Sequence, residues 1–367
     1  MARSKSLTKN LLALAIGCLA ALILAEVVLR LYNPFGFRVK GDNIILPVGM
    51  KYVIENKEAY PGLDERIVHT KNSLGFRGPE PPPDLDGYLS ILTVGGSTTE
   101  CFYLSDGKTW PARLGRKLEE SLGRVWLNNA GLDGHSTYGH LVLMADYLVG
   151  LRPKVVVFLV GVNEIGLDKP CPWDRSIKKD LMRGRLDLSS LSGLANSLAA
   201  HSETVSLGLN LYRYLRAERH AMKPPEKYLR KHRPHGPVPA EELTQVKKDQ
   251  ARFLAAYRDR LLGLIKLARQ NNIKPVFITQ PTLNSDQIWI TLEAYNDVLR
   301  QVGRREKTLV IDAARKMANE REYYYDFVHF TNEGAQVLAD IVFEELRPYL
   351  AAEFRSGPQA GRRRWAA

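Results

Sequence analysis

Five short apolar stretches recur along the middle and C-terminal parts of the chain, and longer amphipathic stretches separate them. The apolar stretches are rich in β-branched residues, as in buried parallel strands: 89–94, 125–129, 155–160, 275–279 and 308–311. The amphipathic stretches have the periodicity of helices: 109–122, 137–151, 241–271, 292–303 and 332–350. Strands that alternate with helices of this length predict right-handed crossovers and a parallel sheet covered on both faces. The pattern therefore predicts a three-layer α/β/α sandwich around a five-stranded parallel sheet.

The first 32 residues combine a basic start with a long apolar run. Three basic residues precede residues 11–29, which are interrupted only by Glu26 and are followed by Arg30. A helix of this length approaches the roughly 30 Å of a hydrocarbon core, and its basic end should stay in the cytoplasm. We therefore expect an uncleaved signal anchor over residues 11–32, a cytoplasmic segment over residues 1–10, and the rest of the chain outside the cytoplasm.

Two cleaved forms and one buried form compete with this anchor. A signal peptide would be removed, and Ala15-Ile16-Gly17-Cys18 distantly resembles a lipid-attachment site. Cleavage before Cys18 would leave a second apolar run on the mature chain, which argues against lipidation. A buried core helix is the remaining alternative.

Segments of other composition flank and interrupt the periodic region. Residues 33–86 are rich in Pro and Gly, which predicts an irregular stalk with at most short strands. Residues 87–351 form one domain, with an insertion at 168–240 that holds 14 Lys and Arg against seven Asp and Glu. The insertion is interpreted as a solvated lid, or as a surface for anionic lipid head groups or an acidic polymer. The basic tail, 352–367, is expected to be disordered.

Composition narrows the possible classes of protein. With 367 residues, 45% of them apolar, the chain has enough material for a packed core and is not a disordered or collagenous polymer. Its three cysteines include no CxxC pair, so neither a disulfide scaffold nor a thiolate zinc site is expected. The net charge of +12 favours anionic surfaces, but we expect no nucleic-acid partner, since basicity alone does not indicate one.

The first predicted strand runs into Gly95-Gly96-Ser97-Thr98-Thr99. Two glycines let the chain turn sharply, so the serine can stand exposed at the carboxyl edge of the sheet, where such sheets bind ligands. The segment matches neither Gly-x-Gly-x-x-Gly nor a phosphate-binding P-loop, and it differs from the Gly-x-Ser-x-Gly elbow of α/β-hydrolases. Alone it is a weak signal, because such turns are common.

Three further blocks complete a pattern. The second strand ends in residues 129–136 (NAGLDGHS), the third in 161–164 (GVNE), and 326–330 (DFVHF) stands near the C-terminus. Together with the Gly-Gly-Ser turn, in this order and at these places, the blocks resemble the SGNH hydrolases, the superfamily that includes the GDSL esterases and lipases. The resemblance runs from residue 89 to 350, without the insertion. It implies a flavodoxin-like fold and an ester hydrolase.

The resemblance also implies a role for each block. Ser97 is the nucleophile, His329 the general base and Asp326 the residue that orients it. The backbone N–H groups of Ser97 and Gly134, with the side-chain amide of Asn163, form the oxyanion hole. The residue types suit that chemistry, because a serine hydroxyl needs an imidazole to take its proton and a carboxylate to fix the tautomer of the imidazole. Donors aimed at the developing oxyanion stabilise the transition state.

Each of these residues also has a structural alternative. Serine, glycine and asparagine are common in turns. Asp326 and His329 could form a capping pair before the last helix, where Thr331 or Asn332 is a candidate N-cap. The occurrence of all the blocks together at strand ends favours the catalytic interpretation.

The chain departs from the family pattern in two places. Gly96 stands where Asp is common before the serine, and Asn163 is followed by Glu164 rather than Asp. Neither change replaces a residue of the predicted site. We therefore expect the departures to affect catalytic efficiency more than the type of reaction. Residues 72–77 (NSLGFR) look like a segment of membrane-anchored bacterial members, which favours a single-pass protein of the bacterial inner membrane facing the periplasm or exterior.

We expect no cofactor and no metal. The four histidines of the insertion are irregularly spaced, so we expect exposure rather than metal binding: His201, His220, His232 and His235. A disulfide between Cys101 and Cys171 is a hypothesis, since both follow strand ends. Some aromatic residues could line a sugar or acyl pocket, or belong to the core: Trp110, Tyr138 and residues 323–325.

These observations predict a membrane-anchored, extracytoplasmic serine ester hydrolase that works through an acyl-enzyme. Its substrate would be an acyl ester of a glycan or lipid, such as O-acetyl groups on envelope or exopolysaccharide glycans. The alternatives are an O-acyltransferase that passes the acyl group to a glycan, and a noncatalytic glycan-binding or assembly protein of the cell envelope.

Overall fold

The computed structural model describes residues 2–33, 39–40, 43–44, 46, 48–56, 60–170, 191–218, 238–283 and 288–354. The chain divides into two compact units. The first combines Met1–Pro47 with Arg175–Lys223, and the second combines Val48–Asp174 with Pro224–Ala367. This division into units does not test the boundaries predicted for the anchor, the stalk and the domain, which stay predictions.

The first unit contains, among its described residues, three helices and a short hairpin: α1 (Ala2–Leu31), β1 (Val39–Lys40), β2 (Asn43–Ile44), α6 (Leu191–His201) and α7 (Glu203–Glu218). Within α1, Lys9–Leu31 is long and apolar enough to cross a membrane, with 23 residues, a mean hydropathy of 2.7 and no buried residue. In the described part of the chain it is the one helix with these properties.

The second unit contains the five predicted strands, all parallel: β5 (Leu89–Gly95), β6 (Val125–Asn129), β7 (Val155–Val160), β8 (Lys274–Thr279) and β9 (Val310–Ile311). Their order in the sheet is β6-β5-β7-β8-β9, which is the flavodoxin-like order. The predicted five-stranded parallel sheet is therefore confirmed. Because the order reverses beside β5, the carboxyl ends of β5 and β7 flank a crevice.

Helices cover both faces of the sheet, which confirms the three-layer sandwich. They are α2 (Ser97–Glu100), α3 (Trp110–Leu122), α4 (Thr137–Leu143), α5 (Val149–Leu151), α8 (Ala240–Asp249), α9 (Ala251–Gln270), α10 (Ile288–Glu306), α11 (Ala313–Lys316) and α12 (Asn332–Phe354). Alternate strand residues point to opposite faces. Ile91 and Val157 join a core with α3 and α12, whereas Phe158 stacks on Phe277 on the face covered by α9 and α10.

Three predicted helices differ from the observed ones. The helix predicted over 137–151 consists of α4 and α5, joined by a π-helical segment, Met144–Leu148. The helix predicted over 241–271 is divided between α8 and α9, because Gln250 leaves the helical conformation at φ −95° and ψ 5°. The apolar periodicity continues across this residue, so the pattern did not mark the break. The helix predicted over 292–303 begins earlier, at Ile288, as α10.

The stretch expected to be an irregular stalk includes an antiparallel hairpin of the second unit, β3 (Lys51–Glu55) with β4 (Arg66–Thr70). At the other end of the chain, α12 continues to Phe354, so the first residues of the expected disordered tail are helical. The predicted N-cap of α12 is Thr331, since the Gly334 N–H donates to its hydroxyl at 3.1 Å.

Candidate active site

The chain turns from β5 into the short helix α2 through two closely packed glycines. A Cβ at Gly95 would lie 2.7 Å from the Leu159 carbonyl oxygen and would also collide with Thr99. A Cβ at Gly96 would collide with the side-chain amide of Asn163. Only glycine leaves room for these contacts, so the turn brings Ser97 to the carboxyl end of β5 beside the end of β7.

Ser97 contacts the C-terminal block that the sequence analysis singled out. The Ser97 Oγ lies 2.7 Å from His329 Nε2, and His329 Nδ1 lies 2.6 Å from Asp326 Oδ2. The other carboxylate oxygen of Asp326 accepts the backbone N–H groups of Val328 (2.9 Å) and His329 (2.7 Å). Asp326 therefore holds its own loop and the imidazole at once, which leaves Nε2 directed at the serine hydroxyl.

Charge and burial act in opposite directions on this pair. Burial disfavours the protonated imidazole, but the hydrogen bond to Asp326, its charge and the charge of Asp133 together raise the pKa of His329 above its ordinary value. Burial also disfavours the ionised carboxyl of Asp326, yet His329 and two backbone N–H groups hold its pKa below the ordinary value. The arrangement favours a carboxylate that stabilises a charged imidazole.

The two remaining predicted residues lie on loops that follow β6 and β7. Gly134 adopts φ +73°, a conformation that favours glycine. Its loop is tied to the turn of Gly95, Gly96 and Ser97 (the serine turn), because the Leu132 N–H donates to the Gly95 carbonyl at 3.0 Å. Asn163 Nδ2 donates to the His135 carbonyl at 2.9 Å. The structure thus brings the Gly134 loop, Asn163 and the serine turn together. Among the described residues the second N–H of the Asn163 amide has no acceptor, so it can donate to a ligand.

A small pocket opens beside Ser97. Its volume is about 180 Å³, and it is lined mainly by apolar and aromatic side chains, which include Cys101, Tyr103, Leu104, Tyr325 and Phe330. Tyr325 stacks on the His329 ring, with centroids 5.5 Å apart and an interplanar angle of 10°. The pocket therefore presents an apolar wall to a small group bound at Ser97.

Comparison with known families identifies the protein class. Residues 93–337 match the model of the GDSL-like Lipase/Acylhydrolase family, which is more than half of the chain. The chain belongs to this family. It is a GDSL-type hydrolase that acts on esters, and the predicted membership of the SGNH superfamily is confirmed.

Several solved structures are similar to the chain at low sequence identity. Axe2, an acetylxylan esterase from Geobacillus stearothermophilus, is 14% identical, with 71% of this chain and 95% of that chain covered and a TM-score of 0.42. LAE5, an alpha/beta hydrolase enzyme from the metagenome of Lake Arreo, is 16% identical, with 72% and 95% covered and a TM-score of 0.42. The acetyl xylan esterase AlAXEase is 15% identical, with 69% and 98% covered and a TM-score of 0.40. No curated protein matches the chain.

A buried ion pair behind Asn163 was missed by the sequence analysis of this GDSL-type hydrolase. Glu164 accepts hydrogen bonds from the N–H and hydroxyl of Thr137, at 2.8 and 2.7 Å, and from Arg260 Nη2 at 2.9 Å. Arg260 Nε also donates to the Thr137 hydroxyl, at 2.7 Å, and its guanidinium stacks on Tyr138. Burial raises the pKa of Glu164, and Arg260 opposes that shift. The pair connects the Asn163 loop to the start of α4.

Replacing Arg260 with Met is expected to lower the free energy of unfolding by about 3–5 kcal/mol, because Glu164 would remain buried without its charged partner. Denaturant unfolding of the full chain measures the loss. Arg252→Met is the matched control, since Arg252 is exposed and its carboxylate partner, Asp168, lies 3.7 Å away. Equal effects of the two substitutions would contradict a stabilising role for the buried pair.

The second missed residue is Arg77, which fixes the chain that follows Ser97. Its guanidinium donates to the carbonyls of Glu100 (2.9 Å), Cys101 (2.7 Å) and Leu104 (2.7 Å), and it pairs with Asp106 at 2.7 Å. The 72–77 segment, noted only for its resemblance to membrane-anchored members, therefore supports the serine turn.

A second buried pair lies beside the Arg77 contacts. Lys71 Nζ contacts Glu100 at 3.0 Å, and the other Glu100 oxygen accepts the N–H of Asp133 at 2.5 Å. Through Glu100, this pair links the serine turn to the loop of Gly134.

The remaining aromatic, cysteine and histidine candidates lie in the core, at the pocket, at a helix end or outside the described residues. Trp110 is fully buried and donates to the Thr98 carbonyl at 3.0 Å, so it belongs to the core and not to a pocket wall. Of residues 323–325, Tyr325 lines the pocket. Cys101 is a free, buried thiol, and Cys171 lies outside the described residues. His201 ends α6, while His220, His232 and His235 also lie outside the described residues.

Proposed function

We propose that the protein hydrolyses short acyl esters through an acyl-enzyme on Ser97. The observation that carries this proposal is the chain of contacts from Ser97 Oγ to His329 (2.7 Å) and on to Asp326 (2.6 Å), at the mouth of a small pocket. Ser97 is the nucleophile, His329 the general base, and Asp326 orients and stabilises the imidazole.

The proposed reaction has two steps. Ser97 Oγ forms a bond to the ester carbonyl carbon while its proton passes to His329 Nε2, and the carbonyl oxygen becomes an oxyanion. The backbone N–H groups of Ser97 and Gly134 and the Asn163 amide donate to that oxyanion. The alcohol then leaves with the proton from His329, and water attacks the acyl-enzyme with the same base, which releases the acid and restores Ser97.

The pocket beside Ser97 favours a short acyl group. Leu104, Tyr325 and Phe330 bound a space of about 180 Å³ that includes its opening to solvent, and this space has room for an acetyl group. O-acetyl groups on envelope or exopolysaccharide glycans, or short acyl esters of lipids, fit this space. The signal anchor of α1 would hold the hydrolase on the inner membrane with its second unit facing the periplasm or exterior.

Ester panels test the proposed acyl group. We expect kcat/KM for p-nitrophenyl acetate to exceed that for the octanoate by at least about tenfold, since the proposed site takes a short acyl group. Leu104→Ala should reduce this ratio, whereas Leu118→Ala, a core substitution in α3, should not. A wild-type preference for octanoate would contradict the short-acyl proposal, and transfer to a sugar acceptor instead of water would identify a transferase.

The acid limb of the pH profile tests the base. Hydrolysis requires neutral His329, whose raised pKa places the loss of activity at a higher pH than for an ordinary histidine. Asp133→Asn removes a charge that raises the pKa of His329, so the acid limb of kcat/KM should move to lower pH. Asp340→Asn, on the surface of α12, should leave the limb in place. A shift to higher pH in Asp133→Asn would reject this assignment.

A further inference from the structure

Glu26, the one acid in the apolar run of α1, is bound by the turn between α6 and α7. Its carboxylate accepts hydrogen bonds from the hydroxyl of Ser202 (2.8 Å), from the backbone N–H groups of Glu203 (3.1 Å) and Thr204 (3.0 Å), and from the hydroxyl of Thr204 (3.0 Å). A carboxylate in an apolar helix is costly without partners. Here it caps the N-terminus of α7.

Arg30, one turn after Glu26 in α1, completes this contact by binding the C-terminal end of α6. Its Nη2 donates to the carbonyl of His201, the last residue of α6, at 2.6 Å, and its Nε pairs with Glu26 at 2.8 Å. The negative Glu26 thus faces the positive end of one helix dipole, and the positive Arg30 faces the negative end of the other. Asn33 and Lys40 bind the side chain of Glu203. These contacts fix the α6–α7 turn on the outer end of α1.

The fixed helices expose apolar side chains. Leu198 of α6 is 44% exposed, and Val205, Leu211 and Tyr212 of α7 are 36%, 54% and 58% exposed. Val205, Gly208 and Tyr212 follow the i, i+3, i+7 spacing of one helix face. On α1 the neighbouring side chains of the apolar run, such as Val27, are also exposed. Thus α1, α6 and α7 each expose apolar side chains, and all three belong to one compact unit.

We propose that α6 and α7 form a hairpin that lies in the membrane interface, with the phospholipid bilayer covering its apolar face. Glu26 lies five residues before Leu31, so the turn sits about 7.5 Å from the end of the apolar helix. Interfacial helices bury their apolar face roughly 5–10 Å into the boundary between head groups and acyl chains, which is the same depth. Tyr212 suits the interface, where tyrosine is enriched. The inference rests on the proposed membrane anchoring, and not on the chemistry of Ser97.

Quenching by lipid-borne nitroxides tests the hairpin in the full chain, in nanodiscs that each hold one copy. Single cysteines replace Leu198, Tyr212, Leu19 in α1, or Val53 in the second unit, and each carries an environment-sensitive dye. Cys18 and Cys171 are replaced by Ser. Cys101 stays, because burial raises the pKa of its thiol to about 12 and keeps it unreactive in the folded chain.

We expect shallow nitroxides on the 5-position of the acyl chain to quench dyes at 198 and 212 at least threefold more than the dye at 53. Deep nitroxides should quench the dye at 19 most. If the dye at 19 is quenched but those at 198 and 212 match the dye at 53, the hairpin proposal is wrong and the anchor stands. If the dye at 19 is not quenched, the anchoring itself fails. Single-copy discs exclude a second copy of the chain as the covering partner.

Changes at Glu26 test the contact that positions the hairpin. Glu26→Ala should lower quenching at 212 at least twofold while quenching at 19 is unchanged, and Glu26→Gln, which keeps one acceptor oxygen, should have a smaller effect. Glu55→Ala, an exposed residue of β3, is the control. Circular dichroism checks that each variant is folded. Unchanged quenching at 212 in folded Glu26→Ala would contradict the positioning role.

Discussion

Replacing Ser97 with Ala is expected to lower kcat for ester hydrolysis by roughly 10⁴-fold or more, because the proposed acyl-enzyme cannot form without the Ser97 hydroxyl. The hydroxyl stands 2.7 Å from His329 Nε2, within the distance for direct proton transfer. Removal of the hydroxyl leaves the proposed oxyanion donors and the pocket intact, so binding of the substrate should change little. The loss should therefore appear in kcat and not in KM.

The control for this change is Ser121→Ala, on an exposed position of α3. Both variants should keep the wild-type circular dichroism, and only the wild type and Ser121→Ala should react with a fluorophosphonate probe. Retention of more than a few per cent of the activity in Ser97→Ala would reject the serine mechanism. A folded wild type that neither reacts with the probe nor hydrolyses esters would favour the noncatalytic envelope protein.

The strands could be predicted from local patterns, and the grouping of the candidate site residues from the resemblance to the SGNH hydrolases together with one rule of topology. Buried parallel strands need uninterrupted β-branched runs, and the runs at 89–94 and 155–160 match β5 and β7 closely. Parallel strands end at the same edge of the sheet, so residues just beyond them, such as Ser97 and Asn163, fall close together. Each of these inferences needs only a local pattern or the rule that parallel strands end at one edge of the sheet.

The supporting contacts could not be predicted, because neither a local pattern nor the strand-end rule identifies their partners. Arg260 is one of several arginines in an amphipathic helix, and its position opposite Glu164 depends on how α9 packs on α4. Arg77 lies in a segment without periodicity, and its acceptors are backbone carbonyls, which leave no signal in the sequence. Trp110 could belong to a pocket or to the core until its indole was placed against Thr98.

The structure explains why Gly96, and not Asp, precedes Ser97 in this chain. Asp is common at this position in the family, but here the Asn163 amide lies where a Cβ would be. Because Gly96 has no Cβ, the Asn163 amide can pack directly against the serine turn. Glu164 follows directly and is fixed by Arg260 and Thr137, so the amide is held from both sides. In the proposed mechanism, a donor held in this way would need no rearrangement as the oxyanion forms.

Replacing Asn163 with Ala is expected to lower kcat by 10²–10³-fold, about 3–4 kcal/mol in the barrier, because one of the three proposed oxyanion donors is lost. Asn163→Asp should be at least as harmful, since a carboxylate repels the developing charge. Asn271→Ala, at the end of α9, is the matched control. An effect of less than about fivefold in Asn163→Ala, with the fold preserved, would place the amide outside the oxyanion hole.

Gly96→Ala tests the same donor without removing it. The added methyl group would collide with the Asn163 amide and displace it from the serine turn, so kcat should fall while KM for a short ester stays near its wild-type value. Gly150→Ala, whose Cβ would meet no atom within 4 Å, is the control for the loss of a glycine. In the double variant Gly96→Ala with Asn163→Ala, the two losses should not add, because both act through one donor. Full additivity would show that Gly96 affects catalysis by another route, such as the position of Ser97 itself.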